Sequence, residues 1–551
     1  MKKIFLETFG CQMNVLDSQL VEGHLRSSGY AFTADSAAAD VVLYNTCSIR
    51  DLAEQKVLSR LGRMRQRKLT EPDLVVGVIG CMAERDGARM LKRLPQVDLL
   101  CGPGELDRLP ELLADVFRTG RQQQALAGNS VRRSGTRDAS RDDALEMLDL
   151  SRTFSAEESG NQAYIRIVRG CNKFCTYCVV PYTRGPEVSR SPDAILQEAR
   201  KLVDAGCREI TLLGQTVNHY VYDHGPACAP GGPAPRRTRF SELLRQLHDA
   251  LPDLPRLRFV TSFPADFGDD ILQAMADCPR ICRYLHIPAQ TGSNRLLKMM
   301  NRGYTVESYL ELLARARAMA PRLAFGGDII AGFPTETEAD HAATARLLTA
   351  ARYKNCFIFK YSPRPGTAAM RRYPDDVPND VKRARNNALL ELQNQICLEL
   401  NQEVVGQTVE ALCEGPSGWQ RGGDSVVTGA IPATPATQDA PEISNATPGP
   451  VKIELGAGLR DAMARRGNGS ASAAFTEVAT APARPAAGAS GLCNAGAPVQ
   501  LIGRTSQDQI VVFQGPPGWR GQIVSVRIAN AHKLTLFGEA TATAALERVR
   551  A

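Results

Sequence analysis

Three cysteines crowd one short stretch of YIRIVRGCNKFCTYCVVPYTRG: Cys171, Cys175 and Cys178, in the spacing Cys-x3-Cys-x2-Cys. Three thiolates in a tight loop can ligate three irons of a four-iron, four-sulfur cluster, whereas a closed ferredoxin-type site takes four cysteines. The next cysteine, Cys207, is far along the chain, so one iron is left open. An open metal position is where a substrate can coordinate, by the same logic that separates catalytic from structural zinc sites. A zinc site with a distant fourth ligand and simple buried thiols are the other readings of this spacing.

Three further cysteines end apolar runs. Cys11 follows KIFLETF, Cys47 follows VVLYNT and Cys81 follows LVVGVIG. In a doubly wound parallel sheet the carboxyl ends of the strands face one crevice, so these thiols would converge. Position alone leaves a second cluster and ordinary buried cysteines both open. Cys101, after VDLL, fits the same crevice by the same argument.

The elements that must position these residues follow from periodicity. Short β-rich runs alternate with helical patterns through residues 1–120, a βαβ rhythm. Residues 121–154 are largely polar and aperiodic and read as a linker. From 155 to 390, six strands (YIRIVR, EITLLG, LRFVTSF, RYLHIPA, AFGGDIIAGF and CFIFKYS) are separated by helix-length segments, predicting a partial parallel (β/α) barrel. The three-cysteine loop then follows the first barrel strand, at the mouth where barrel active sites lie. Gln215 and Asn218 fall after the second strand, Ser262 after the third and Gln290 after the fourth, all facing that mouth. Helix capping or loop structure is the alternative for each of them. Asp328 is placed to hold another polar barrel residue, and His286 reads as a satisfied barrel histidine.

Residues 391–416 and 499–546 form the last expected domain, all-β and built of alternating segments separated by glycines. Between its parts, 417–498 is rich in Ala, Gly, Pro, Ser and Thr and reads as a low-complexity insertion too poor in apolar surface to offset chain entropy. The 551-residue length suits about three domains, and 43% hydrophobic with 23% charged residues is ordinary for a globular chain. A formal charge of +7 permits a polyanionic partner without demanding one. No apolar run approaches the roughly 20 residues that span a bilayer, and MKKIFLETFG reads as a first strand and not a secretion signal. Fifteen cysteines, an odd number spread over a long chain, do not make a disulfide scaffold. The expected location is cytoplasmic, with metal-binding thiolates.

The three-cysteine loop resembles the signature of the radical-SAM superfamily. That resemblance implies an open iron holding the amino and carboxylate groups of S-adenosyl-L-methionine, and reductive cleavage to a 5′-deoxyadenosyl radical. In that superfamily the aromatic residue before the last cysteine, here Tyr177, lies near the adenine; packing serves a tyrosine beside a metal loop equally well. Gln215, Asn218, Ser262 and Gln290 would then bind the methionyl, ribose or base parts without placing an unpaired charge beside the cluster.

TFGCQMNVLDS, YNTCSIRDLAEQK and GVIGCMAER resemble the three signature segments of the methylthiotransferase family. The resemblance implies that Cys11, Cys47 and Cys81 hold an auxiliary cluster, and it leaves Cys101 out. It continues through LLGQTVNHY, HIPAQTGSNRLLKMMNRGYT, GGDIIAGFPTET and YSPRPGTAA, and CQMN with CVVPYTRGPEVSR is most similar to the MiaB-type members. Residues from about 500 to 545 resemble a TRAM domain, which implies RNA binding. Arg504, Arg520, Arg527 and Lys533, with Phe513, Trp519 and Phe537, supply cations and rings for phosphate and base.

The implied protein has a flavodoxin-like N-terminal domain, a radical-SAM partial barrel and a small all-β TRAM barrel. Its cofactors would be two 4Fe-4S clusters and S-adenosyl-L-methionine, with no catalytic residues beyond the cluster ligands. The implied reaction is methylthiolation at C2 of N6-isopentenyladenosine at tRNA position 37. Partners would be the tRNA anticodon stem-loop and an electron donor such as flavodoxin or ferredoxin, with no membrane and a monomeric chain. The alternatives are a sister methylthiotransferase acting on threonylcarbamoyladenosine or on a ribosomal-protein aspartate, and a non-catalytic RNA-binding protein that carries clusters.

Overall fold

The structure is a computed structural model that describes residues 1–48, 51–126, 139–225, 236–417 and 498–543. The first domain is a six-stranded parallel sheet: β1 (Lys3–Thr8), β2 (Ala31–Phe32), β3 (Val41–Thr46), β4 (Val75–Gly80), β5 (Leu99–Cys101) and β6 (Gln123–Ala125), in the order β2-β1-β3-β4-β5-β6. Both β3 and β4 are buried at every position, as expected for a parallel sheet covered on two faces. Helix Gln12–Ser27 packs Leu16, Leu20 and Leu25 on one face, and helix Asp51–Thr70 packs Val57 and Leu61 on the other. The order of the first five strands is flavodoxin-like, and it places the switch point between β1 and β3. Cys11 and Cys47 follow those two strands.

The stretch expected to be a linker is partly structured. Strand β6 lies within it, as does helix Ala139–Ser151, while 127–138 fall outside the described residues. Leu145 and Leu148 of that helix join the core over helix Gln12–Ser27. Its Asp149 is buried between Arg166 (2.7 Å) and Arg169 (2.6 Å). Charges in the stretch expected to be a linker are instead paired across the first two domains.

The second domain carries all six expected strands: β7 (Gln162–Arg166), β8 (Glu209–Leu213), β9 (Arg256–Phe259), β10 (Tyr284–His286), β11 (Ala324–Ala331) and β12 (Asn355–Lys360). They form two parallel sheets, β9-β8-β7 and β10-β11-β12, joined by the parallel bridge Leu257–Ile281. Helix Asn379–Gln402 packs Leu389 and Ile396 into this core and lies on β12. A boundary at 390 would cut that helix, so the core runs to its end.

The C-terminal strands β13 (Thr408–Pro416), β14 (Val499–Thr505), β15 (Ile510–Gly515), β16 (Ile523–Ala531) and β17 (Thr535–Thr543) close a barrel in the order β13-β14-β15-β17-β16. Residues 418–497, most of the expected insertion, lie outside the described residues; the strands on either side pair directly, Pro416 opposite Leu501. This barrel sits at the amino ends of the core strands. Arg258 of β9 bonds Glu209 at the start of β8 (3.1 Å) and reaches Asp508 (3.6 Å), which Arg504 (3.0 Å) and Lys354 (3.3 Å) also hold. No helix among the described residues is long and apolar enough to cross a membrane.

Candidate active site

The loop after β7 is clamped by segments distant in sequence. Thr176 donates its backbone N–H to Met300 O (3.1 Å) and its hydroxyl to Met299 O (2.9 Å), and accepts from Ala369 N (2.7 Å). Arg302, buried, donates to Cys175 Sγ (3.4 Å) and Pro288 O (2.9 Å), with its guanidinium 4.5 Å from the Phe263 ring centre. Gly170 lies in the left-handed region (φ +70°), where a Cβ would meet Pro186 O at 2.0 Å, so the turn into the loop needs glycine.

Cys171, Cys175 and Cys178 share one desolvated space. Burial pushes the Cys171 thiol up to about 11, with Glu187 and Cys175 adding to it. Burial raises Cys178 further, and Cys175 and Cys171 come next among the causes. Crowded buried thiolates need compensating positive charge, which is what bound metal supplies. Among the described residues no three His, Cys, Asp or Glu side chains close on the position of one metal ion; a multi-iron cluster, taking its thiolates on separate irons, asks for a wider frame. The donor set fits such a cluster.

The expected S-adenosylmethionine residues are placed unequally. Tyr177 packs on the buried cluster that holds Tyr361 and Met300, its phenol raised by burial, with the Arg302 charge opposing. Ser262 presents a buried hydroxyl with no hydrogen-bond partner among the described residues. Gln290 is left-handed (φ 75°), as is Thr261 (φ 70°), backbone strain of the kind concentrated at functional sites. Gln215 is half-buried at the turn after β8. Asn218 differs: its amide nitrogen bonds Phe263 O (3.0 Å) and its oxygen accepts from Phe263 N (2.8 Å), so the side chain staples two mouth loops together.

Sequence reasoning missed a polar arc on the rim. Lys173 meets Asp266 (2.6 Å), Asp266 meets His219 (2.8 Å), and Glu187 accepts from Thr216 (2.6 Å). Asp328 faces His286 across 3.6 Å, but the buried Nδ1 of that ring has no hydrogen-bond partner among the described residues, so His286 is not the satisfied barrel histidine expected.

The other triad gathers at the end of the first sheet. Cys11 caps helix Gln12–Ser27, its thiol facing Asn14 Oδ1 at 3.5 Å. A Cβ on Gly10 (φ +131°) would lie 2.3 Å from that of Cys47, so glycine is what lets Cys47 approach. The Cys47 hydrogen bond is the largest influence on Cys11, pulling its thiol down to about 6 against burial, with the Arg184 charge assisting. Cys81 opens helix Cys81–Asp86; burial raises its thiol, while the Arg184 charge opposes that. A buried network of Asn14, Asn45 and Ser18 backs the site. Cys101 is elsewhere, its thiol donating to Glu105 O (3.2 Å) inside the domain core.

Arg184, Arg302 and Asn14 were the other misses. Arg184 and Asn14 stand inside quoted motifs, PYTRG and CQMN, and Arg302 inside NRGYT; their types alone carry no signal of sulfur contact. The expected RNA contacts also divide. Arg504 is half-buried and paired with Glu414 (2.9 Å) and Asp508 (3.0 Å), and Phe513 fills the barrel core. Trp519 packs partly against that core and Phe537 is half-buried, whereas Arg520, Arg527 and Lys533 are exposed.

Family models match in three places: "Uncharacterized protein family UPF0004" over residues 3–102, the Radical SAM superfamily over 165–348 and the TRAM domain over 495–541. The parallel partial barrel with its three-cysteine loop is thus that of a radical-SAM enzyme, here bearing a TRAM domain. A tRNA-2-methylthio-N(6)-dimethylallyladenosine synthase of Rhodopirellula baltica is 44% identical over 416 residues, 76% of this chain and 84% of that protein. One of the same name from Protochlamydia amoebophila is 44% identical over 414 residues, 75% of this chain and 86% of that protein. The chain belongs to this family of tRNA-2-methylthio-N6-dimethylallyladenosine synthases. Among solved structures, the radical S-adenosylmethionine methyltransferase TsrM of Kitasatospora setae matches with a TM-score of 0.49 and 17% identity, covering 67% of this chain and 75% of that one.

Proposed function

We propose that this chain methylthiolates C2 of N6-isopentenyladenosine at position 37 of tRNA. The observation that carries the reading is the pairing of an open three-thiol loop at a barrel mouth with a second thiol triad, linked to it through Arg184. Cys171, Cys175 and Cys178 would hold the cluster that binds S-adenosyl-L-methionine, and Cys11, Cys47 and Cys81 the auxiliary one. With both bound, reductive cleavage of S-adenosyl-L-methionine supplies the 5′-deoxyadenosyl radical and the auxiliary cluster holds sulfur for insertion.

The remaining work falls to the chain's own side chains. Ser262 offers its free hydroxyl, Gln215 and Gln290 their amides, and Tyr177 its ring at the mouth, while Asn218 holds the loops that present Ser262. Strand β12 favours an apolar N6 substituent. Phe357 and Phe359 stack at 6.3 Å with 17° between planes, and Phe359 is 40% exposed. They alternate with the core residue Ile358 and pair in register with Asp328 and with Ile330, which packs on the same buried cluster as Tyr177. A prenyl chain gains from that apolar shelf, and the carboxylate of a threonylcarbamoyl group or an aspartate would face Asp328.

Exposed Arg520, Arg527 and Lys533 on the TRAM barrel would meet the phosphates of the anticodon stem-loop. The enzyme would act as a cytoplasmic monomer reduced by a flavodoxin or ferredoxin. The test is nucleoside mass spectrometry of tRNA from a deletion strain, paired with the reconstituted enzyme on isopentenylated anticodon stem-loop. Loss of 2-methylthio-N6-isopentenyladenosine alone is expected. Loss of the threonylcarbamoyl derivative, or no change in either, would sink the proposal.

A further inference from the structure

Arg184 belongs by sequence to one triad and in space to the other. It stands a few residues beyond Cys178, after the single-turn helix Val180–Thr183, which packs against helix Cys81–Asp86. Its side chain is 6% exposed. One guanidinium nitrogen lies 2.7 Å from Asp17 Oδ2 and 3.4 Å from Asn14 Oδ1. That Asn14 oxygen also faces the Cys11 thiol at 3.5 Å, and the guanidinium charge bears on both Cys11 and Cys81. A buried arginine is stable only when its donors and its charge are matched. Asp17 matches it incompletely, since that carboxylate also receives Arg166 at 3.1 Å. Arg184 has no other carboxylate within salt-bridge distance among the described residues. Its remaining hydrogen-bond partner is Asn14, and its charge falls on sulfur.

We infer that Arg184 is a positioning residue for the auxiliary cluster: an arm of the barrel's cysteine loop whose fixed charge and hydrogen bonds set the geometry and reduction potential of whatever iron-sulfur group the first-domain triad holds. This rests on the assignment of Cys11, Cys47 and Cys81 as ligands. Reduction potentials of such clusters follow net charge and hydrogen bonding at sulfur, so a buried cation favours the reduced form. The planar fork holds Asp17 and Asn14 of helix Gln12–Ser27, while the helix before Arg184 packs on helix Cys81–Asp86 after β4. The barrel loop thereby holds two separate ligand-bearing segments of the first domain in register.

The test uses full-length reconstituted protein carrying Arg184→Gln or Arg184→Lys. Iron content, potentiometric titration followed by electron paramagnetic resonance, and 5′-deoxyadenosine yield are measured beside methylthio product. R184Q should move the auxiliary signal to a more negative potential and leave the barrel cluster's potential unchanged. Its ratio of 5′-deoxyadenosine to methylthio product should rise several-fold, with R184K between R184Q and wild type. Unchanged potentials for both clusters at full iron content would overturn the inference. If R184Q loses auxiliary iron, R184K decides: restored iron and signal supports the inference, and equal loss in R184K reduces Arg184 to a structural part. A wild-type protein that binds only one cluster would instead refute the ligand assignment itself.

Discussion

Arg302 sets its guanidinium 3.4 Å from the sulfur of Cys175 while stacking over Phe263 and Tyr304. The cation is carried by a segment more than a hundred residues away from the cysteine loop, yet it is built into that loop's floor. A hydrogen bond to a charged partner contributes about 1.5–3 kcal/mol, so Arg302→Met should weaken cluster retention and lower S-adenosylmethionine cleavage by roughly 10-fold or more. Iron per chain and 5′-deoxyadenosine formation check this. Wild-type values for both would show that Arg302 serves packing alone.

The two triads should fail differently. Cys175→Ala removes one of three thiolates from the open site, and cleavage of S-adenosyl-L-methionine should be abolished together with product. Cys81→Ala should spare much of the cleavage and abolish methylthio insertion. Parallel measurement of 5′-deoxyadenosine, methylthio-nucleoside and iron in both variants decides it. Near wild-type product from Cys81→Ala would remove the first-domain triad from the chemistry.

The strands and the cysteines were legible because each leaves a local mark: continuous apolar runs for buried parallel strands, and thiols at fixed offsets from their ends. Cys11, Cys47 and Cys81 could be placed in one crevice from sheet geometry, but the same rule admitted Cys101, whose thiol turns to Glu105 O inside the core. What the rule cannot give is side-chain direction. Helix Ala139–Ser151 was hidden for another reason, since RDDALEMLDLSR looks like solvated charge until Arg166, Arg169 and Arg190 arrive from the next domain. Arg504 misled in the same way. A surface cation and a buried ion-pair member are the same letter, and only tertiary partners distinguish them.

Asp508 joins the TRAM barrel to the floor of the core. Burial by itself would raise its carboxyl, but Lys354, Arg504 and Arg258 outweigh that and hold it well below the usual carboxylate range. The folded value lies below the unfolded one of about 3.9. Its stabilisation is therefore fully present above that value and is lost as pH falls through the folded one. Asp508→Asn leaves three cations short of a partner and should destabilise by about 3 kcal/mol near neutrality. In thermal unfolding, the gap between wild type and Asp508→Asn should be constant from pH 8 to about pH 5 and shrink below about pH 4. A gap that instead widened on acidification would show that Asp508 is not the charged member of this cluster.

The tract between β13 and β14 should be removable. Its flanking strands are already joined: Ser417 N donates to Gln500 O (2.8 Å), and Pro416 and Gly415 pair with Leu501 and Ile502. The antiparallel pairing thus runs to Ser417, the last described residue on its side, opposite Gln500, and a short turn can close it without moving either strand. Loop-closure entropy grows only with the logarithm of length, so shortening costs nothing and gains about 2.5 kcal/mol for such a reduction. Replacing residues 418–497 by a short Gly-containing turn should leave iron content, tRNA affinity and turnover within about two-fold of the full chain, with a slightly higher unfolding temperature. Binding of anticodon stem-loop RNA to both proteins, measured at two salt concentrations, tests it. A truncated protein that keeps both clusters but binds RNA more weakly, with a shallower salt dependence, would show that the tract itself contacts phosphate.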